Sequence, residues 1–419
     1  MLSVRIVVVA VMLIIVIAGL TSWEERGFVR SERERIRSPQ VSLRDLEALV
    51  AGNNAFAFRL YQIIPDSERN VLFSPYSISL SVAMLYAGAS GVTERQVAEA
   101  LGFALRQERL HSAFNALSWK IASRENDKVE LRIANALWGQ AGYEFVPEFL
   151  DILALHYGAG VRVRDFAGAP EASREAINQW VSRATNGRIS DVLPPGSITA
   201  DTPLVLTNAI YLNAEWQHRF DRDLTRDGPF YLLGGGEMRV PMMRYDEPRF
   251  LNYAEGDGYQ AVELPYRGRD VSMILLLPAM GAHEAFEQSL TQERWQTILE
   301  ELALTDVHLT MPKFRYEASL PLKEALARMG VRDVFDPNRA DLSGMSAREG
   351  LFVNAAVHKA FIAVDEERTE AAAATALVGA EAAPEPYVRM IVDHPFLFII
   401  RDVPTGTILF LGRVLDPRR

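Results

Sequence analysis

The 419-residue chain predicts an α+β fold. Three observations carry that expectation. Apolar residues recur at helical spacing in the first half, strand-like runs dominate the second, and βαβ alternation is too scarce for a doubly wound sheet. No internal repeat is visible. With 49% hydrophobic residues the chain can bury a large core, and length alone suggests two or three domains. Charged residues make up 23%, close to a globular average, which argues against wholesale disorder. The net charge of −10 argues against broad nucleic-acid binding, which needs a basic face. The chain has no cysteine, which removes disulfides, thiolate catalysis and zinc–cysteine sites together.

The elements follow in order. Residues 1–22 contain Arg5 and then an apolar run from Ile6 to Leu20. Its length of about fifteen residues suits a signal-peptide core and is short for a membrane span, so export signal and retained anchor both stand. Residues 23–40 are a mixed-charge run expected to be a solvated linker. From residue 41 onward the punctuation is regular. Leu46, Leu49, Val50, Ala55, Phe56 and Leu60 lie at helical spacing. Val71–Phe73 looks like a short strand, after which Ser74 suits an N-cap and Pro75 the first helical position. Gly88 suits the end of that helix. Thr93 and Gln96 form a capping-box pattern, with Gly102 as the stop. The stretch "RQERLHSAFNALSWKIASR" reads as an ordinary amphipathic helix rather than a polyanion site. Ile177, Trp180, Val181 and Ala184 mark one more helical face, closed by Asn186-Gly187. "PLVLTNAIYLNAEW", "YQAVELPY", "VSMILLLP" and "VHLTMPKFRYE" then read as strands.

Catalytic motifs are missing. The sequence holds no G-x-S-x-G elbow, no H-E-x-x-H, no Walker A loop and no G-x-G-x-x-G after a strand. Gly234-Gly235-Gly236 fits a hairpin turn better than a phosphate loop. The seven histidines are scattered, so no metal site and no cofactor are expected. One segment stands out instead. "EERTEAAAATALVGAEAAPEPYV", residues 366–388, places some twenty small residues between two strand-like runs. Counted from Thr369 in strand alternation, Thr369, Ala371, Ala373, Thr375, Leu377 and Gly379 share one side. Arg368 and Glu370 fall on the other, whereas Glu381, twelve residues on from Thr369, returns to the first side. From residue 368 to residue 380 charge is thus confined to one face.

Seven ordered blocks resemble the serpin family. They are "NNAFAFRLYQ", "NVLFSPYSISLSVAMLYAGASGVTERQVAEALGF", "INQWVSRATNGRISDVLP", "LVLTNAIYLNAEW", "VELPYRGRDVSMILLLP", "VNAAVHKAFIAVDEERTEAAAAT" and "HPFLFIIRDVPTGTILFLGRVLDP". Together they run from about residue 45 to 416, and the resemblance implies one domain over residues 41–419, overriding the length prior. It implies three sheets surrounded by helices and an exposed reactive-centre loop. In inhibitory members a protease cuts this loop and becomes acylated, and the loop inserts into the main sheet, trapping the enzyme. The expected partner is a serine protease held as a covalent acyl complex, with a cysteine protease as a second class. No enzymatic activity is expected. The protein is expected to be monomeric, and secreted or extracytoplasmic, with an N-terminal membrane tether as an alternative.

Site residues carry over one by one. Ser74, Ser77, Asn208 and His358 match the polar shutter beneath the parting central strands. Trp216, Lys313 and Glu366 match the breach, where insertion begins and an ion pair helps hold the sheet closed. Glu366, Glu367, Arg368, Thr369, Glu370, Ala371, Ala372, Ala373 and Ala374 match the hinge. Arg368 departs from the family, which usually has glycine there; glycine swings through backbone angles that arginine reaches only at a cost. This keeps a non-inhibitory binding, carrier or storage role open. Counting Glu366 as first, the seventeenth residue is Ala382, so the expected reactive bond is Ala382–Ala383. Alanine there implies elastase-like or subtilisin-like targets, because a trypsin-like pocket would be left with an unpaired carboxylate.

Overall fold

The computed structural model describes residues 27–64, 68–367 and 387–418. The earliest element is a short strand, β1 (Phe28–Val29). Helix α1 spans Leu43–Ile63, and the Ser42 hydroxyl caps it by accepting from the Asp45 N–H. Strand β2 (Val71–Phe73) leads into α2 (Pro75–Tyr86) through the expected Ser74 cap and first-turn proline. Helix α3 (Gly91–Leu101) ends at Gly102, whose φ of +69° is left-handed. The amphipathic helix α4 covers Gln107–Ala122.

The capping box expected at Thr93 and Gln96 does not form, because α3 starts at Gly91 with Ser90 in the cap position. The Thr93 hydroxyl instead accepts from the Asp341 N–H, and the Gln96 carbonyl accepts from the N–H groups of Arg332 and Asp333. Distant backbone donors outcompete the local cap.

Strand β3 (Val129–Gln140), helix α5 (Pro147–Ile152, prolonged by a π-helical turn over Leu153–Tyr157), β4 (Val161–Arg164), α6 (Pro170–Ala184) and β5 (Leu204–Ala214) follow. After them come β6 (Arg226–Tyr231), β7 (Glu237–Arg244), β8 (Arg249–Gly256), β9 (Tyr259–Pro265) and β10 (Val271–Pro278). Gly234–Gly236 lies in the turn joining β6 to β7, as expected of a hairpin. Two short helices, α7 (His283–Ser289) and α8 (Gln292–Glu301), precede β11 (Ala303–Pro312), β12 (Phe314–Pro321) and α9 (Leu322–Arg328). The chain closes with β13 (Val353–Val364), β14 (Val388–Ile391), β15 (Phe396–Asp402) and β16 (Thr407–Val414).

One sheet has six strands in the order β1-β4-β3-β5-β13-β12. The other sheet has ten, in the order β2-β16-β15-β10-β9-β8-β11-β7-β6, with β14 on β11. The expected second and third sheets are therefore fused. β11 is the reason: its first half pairs with β8 and its last residues with β7. A smaller core joins α6 to one face of the six-stranded sheet through Ile177, Val181, Trp138 and Val205. The larger core unites the rest of the fold.

The charged run is more engaged than a solvated linker. Phe28 and Val29 pair with Arg162 and Val161, adding an edge strand to β4. Arg33 meets Asp151 at 2.8 Å, the Arg35 guanidinium donates to the Asn115 side chain, and the Ile36 N–H donates to the Leu155 carbonyl. Charges that looked suited only to water find partners on α4 and α5. Among the described residues no helix is long and apolar enough to cross a membrane.

Candidate functional site

One interior pair of the six-stranded sheet is joined over only part of its length. β5 and β13 run parallel, and their ladder extends from Leu204 opposite Val353 to Tyr211 opposite Phe361. Beyond it, Leu212–Ala214 pair with β3, and Ile362–Val364 pair with β12. No ladder joins the two strands there. Two central strands are thus closed at one end and parted at the other, and β13 leads at the parted end toward residues 366–388.

At the closed end a polar row crosses the sheet. Asn135 of β3, Asn208 of β5 and His358 of β13 lie directly opposite one another, so their side chains share one face. That face meets the start of α2. The Ser74 N–H donates to His358 Nε2 at 3.1 Å, which leaves the proton on Nδ1, where it is donated to the Asn208 carbonyl. The Asn208 amide reaches the Ser77 carbonyl at 2.7 Å and the Ser77 hydroxyl at 2.8 Å, with Asn135 Oδ1 also in contact. Ser77 in turn donates its N–H to the Ser74 hydroxyl and its O–H to Asn135. Ser74, Ser77, Asn208 and His358 are all completely buried. Burial pushes the His358 imidazole down to about 3, and Nε2 is already occupied as an acceptor. His358 is therefore neutral at physiological pH.

At the parted end the gap is bridged by side chains and loop backbone. The Trp216 indole donates to the Asp365 carbonyl at 2.9 Å, and its backbone N–H donates to the Glu367 carbonyl. The ring stacks on Tyr266 with centroids 4.5 Å apart, and Phe220 stacks likewise on Tyr245 at 4.3 Å. Glu366 is only 3% exposed, and Lys313 donates to both its carboxylate oxygens at 2.8 and 3.1 Å. The Thr225 hydroxyl adds a third donor at 2.7 Å. Burial alone would raise the Glu366 carboxyl, but the bonds from Lys313 and Thr225 outweigh it and hold the group below the ordinary carboxylate value.

The geometry thus brings Ser74, Ser77, Asn208 and His358 into one network, and Trp216, Lys313 and Glu366 into another, with Glu367 beside the second. Arg368, Thr369, Glu370, Ala371, Ala372, Ala373, Ala374, Ala382 and Ala383 lie outside the described residues. Sequence reasoning missed Asn135 and Thr225. Asn135 carried a signal, being a lone amide in the otherwise apolar "IANALW", whereas Thr225 carried none.

A family model described as serpin (serine protease inhibitor) matches residues 51–417. The leukocyte elastase inhibitor of Sus scrofa is 41% identical over 383 residues, which is 89% of this chain and 100% of that protein. Among solved structures, the thermophilic serpin tengpin in its native state superposes with a TM-score of 0.83 at 27% identity, covering 92% of this chain and 97% of that one. Uncleaved ovalbumin superposes with a TM-score of 0.79 at 27% identity, covering 88% and 100%.

Proposed function

Because the chain belongs to the serpin family, we propose that it is a suicide inhibitor of serine proteases that cut after small residues. It is an inhibitor and not an enzyme. The observation that carries this reading is the parted β5–β13 pair, which opens toward a segment whose charges between residues 368 and 380 fall on one strand face. Elastase-like or subtilisin-like proteases attack the bond Ala382–Ala383, with a cysteine protease as a second class. Residues from Thr369 onward then enter the gap as a new central strand. The network at Trp216, Lys313 and Glu366 acts as the breach through which insertion begins, and the network at His358 and Asn208 acts as the shutter below it. Buried polar networks have few satisfied arrangements, which suits a gate that is either shut or open. The likeness to an elastase inhibitor supports the choice of target. The protein acts as a monomer, and its apolar start at residues 6–20 supports export or tethering at a membrane.

Arg368 favours one second reading, a binding, carrier or storage serpin without inhibitory duty, because arginine stiffens the point where the chain must swing. Incubation with elastase-like and subtilisin-like proteases separates the two. An inhibitor gives an SDS-stable adduct and releases a C-terminal fragment beginning at Ala383. Complete cleavage with no adduct leaves the second reading. A fragment beginning at Met390 overturns the assigned bond. Thr369→Arg tests the insertion register: a guanidinium forced into the core without a partner slows entry, so most of the variant should be cleaved as substrate.

A further inference from the structure

We propose that the exposed face of β7, β11 and β14 is an exosite for a protease with an acidic rim beside its primed subsites, and that Arg244 and Arg389 read that rim. The proposal rests on the inhibitory reading for its partner class and adds a recognition surface to it. Three observations lead to it.

The first is register. β11 lies between β7 and β14, with Thr310 opposite both Arg244 and Ile391, and His308 opposite Arg389. Directly opposed residues share a face, so these five side chains form one patch. Strands lie ~4.8 Å apart and rise ~3.3 Å per residue, which places the two arginine backbones ~12 Å from each other. Both side chains can therefore meet one small patch on a docked molecule.

The second is charge. Arg244 and Arg389 are exposed, and among the described residues neither meets a carboxylate. The acids that follow β7, Asp246 and Glu247, are taken up by Arg249. Ile391 is 40% exposed and Tyr387 39%, so an apolar and an aromatic surface flank the cations. His308 packs edge-on against Tyr387.

The third is position in the chain. β14 begins at Val388, the last residue of the segment 366–388, and Tyr387, Arg389 and Ile391 all follow the expected bond. A protease seated on Ala382–Ala383 must cover the strand that carries the chain away from it. Glu370 and Glu381 precede that bond and Glu385 closely follows it, after which the sign changes at Arg389. In a chain of net charge −10 this face is a local reversal, and it orients a partner whose primed-side rim is negative.

The test uses a subtilisin-type protease whose catalytic serine is replaced by alanine, in two forms carrying two glutamates or two lysines on the primed-side rim. Affinity for the full chain is measured by surface plasmon resonance at low and at raised salt. The glutamate form should bind about fivefold or more tightly than the lysine form at low salt, with the difference shrinking as salt screens it. Arg244→Gln with Arg389→Gln should abolish the preference, and Arg244→Glu with Arg389→Glu should reverse it. Equal affinities, a preference that survives both double variants, or no measurable binding overturns the exosite. Adduct formation with active protease tests the inhibitory reading separately. A chain that forms no adduct yet discriminates the two forms loses that reading and keeps the docking face.

Discussion

The closed and parted ends of the β5–β13 pair are built from the same two strands, yet they are held by different physics. At the closed end a continuous parallel ladder is backed by a fully buried polar row, Asn135–Asn208–His358, seated on the start of α2. At the parted end no ladder joins the strands, and closure depends on the hydrogen bonds from Trp216 and Thr225 to residues 365–367, backed by two stacked aromatic pairs, and on one ion pair, Lys313–Glu366. Lys313 is 36% exposed in its side chain, so water weakens that pair, whereas nothing screens His358. The difference teaches where the sheet can yield. Opening the parted end disturbs contacts worth little each, while opening the closed end strands buried donors and acceptors together.

The largest effect should therefore come from the closed end. Asn208→Ala removes the partner of His358 Nδ1 and the donor to Ser77, and leaves a small cavity. We expect a loss of about 3 kcal/mol in denaturant unfolding of the native state. A loss below ~1 kcal/mol would mean that the row is not what closes this end.

A pH titration should give the next largest effect. His358 and His111 are both pushed by burial to about 3, well below the unfolded value near 6.5. Between those values the unfolded chain binds protons that the native chain refuses, so stability falls as pH drops from ~6.5 toward ~3. Each histidine should contribute a loss of about 2 kcal/mol between pH 7 and pH 5. His358→Gln and His111→Gln should each remove about 2 kcal/mol of the dependence, with His156 and His218, also lowered by burial, supplying a further share. Unfolding curves across that range decide it.

The contrast between the two ends also explains what was legible in the sequence. Ser74 and Pro75 announced a helix start because capping is local, and the run from residue 366 to 388 announced itself by composition. The family resemblance supplied His358, Asn208, Trp216 and the Lys313–Glu366 pair, none of which is near its partner in the chain. Where the contact was both long-range and unprompted, reading failed. Asn135 meets Ser77 across 58 positions, Thr225 meets Glu366 across 141, and Thr93 serves Asp341 across 248 rather than its own helix. The charged run at 27–38 misled for the same reason, since its partners Asp151 and Asn115 lie on elements that no local pattern connects to it.

At the parted end, Lys313→Ala should cost only about 1 kcal/mol. The Glu366 carboxylate keeps its Thr225 bond, and the lost cation was partly solvated. Its clearer signature is expected in kinetics: loop entry after cleavage should quicken, while the closed-end unfolding midpoint barely moves. Separate stopped-flow and equilibrium measurements would show whether the two ends are independent.

The smallest effect is expected at the rim of the same gap. Arg222 approaches Glu367 at 3.8 Å, beyond good hydrogen-bond length, with its side chain 30% exposed. A pair so loose pays side-chain entropy for weak Coulomb attraction, and such pairs rarely exceed ~0.5 kcal/mol. Arg222→Ala should therefore leave the unfolding midpoint within error and change the rate of loop entry less than Lys313→Ala does. Glu366 would still be gripped by Lys313, and the Trp216 N–H would still hold the Glu367 carbonyl. If Arg222→Ala instead matched Lys313→Ala, closure would belong to the whole cationic rim rather than to the Lys313–Glu366 pair. The parted end would then resemble the closed one in being a network, and the contrast between them would be one of exposure alone.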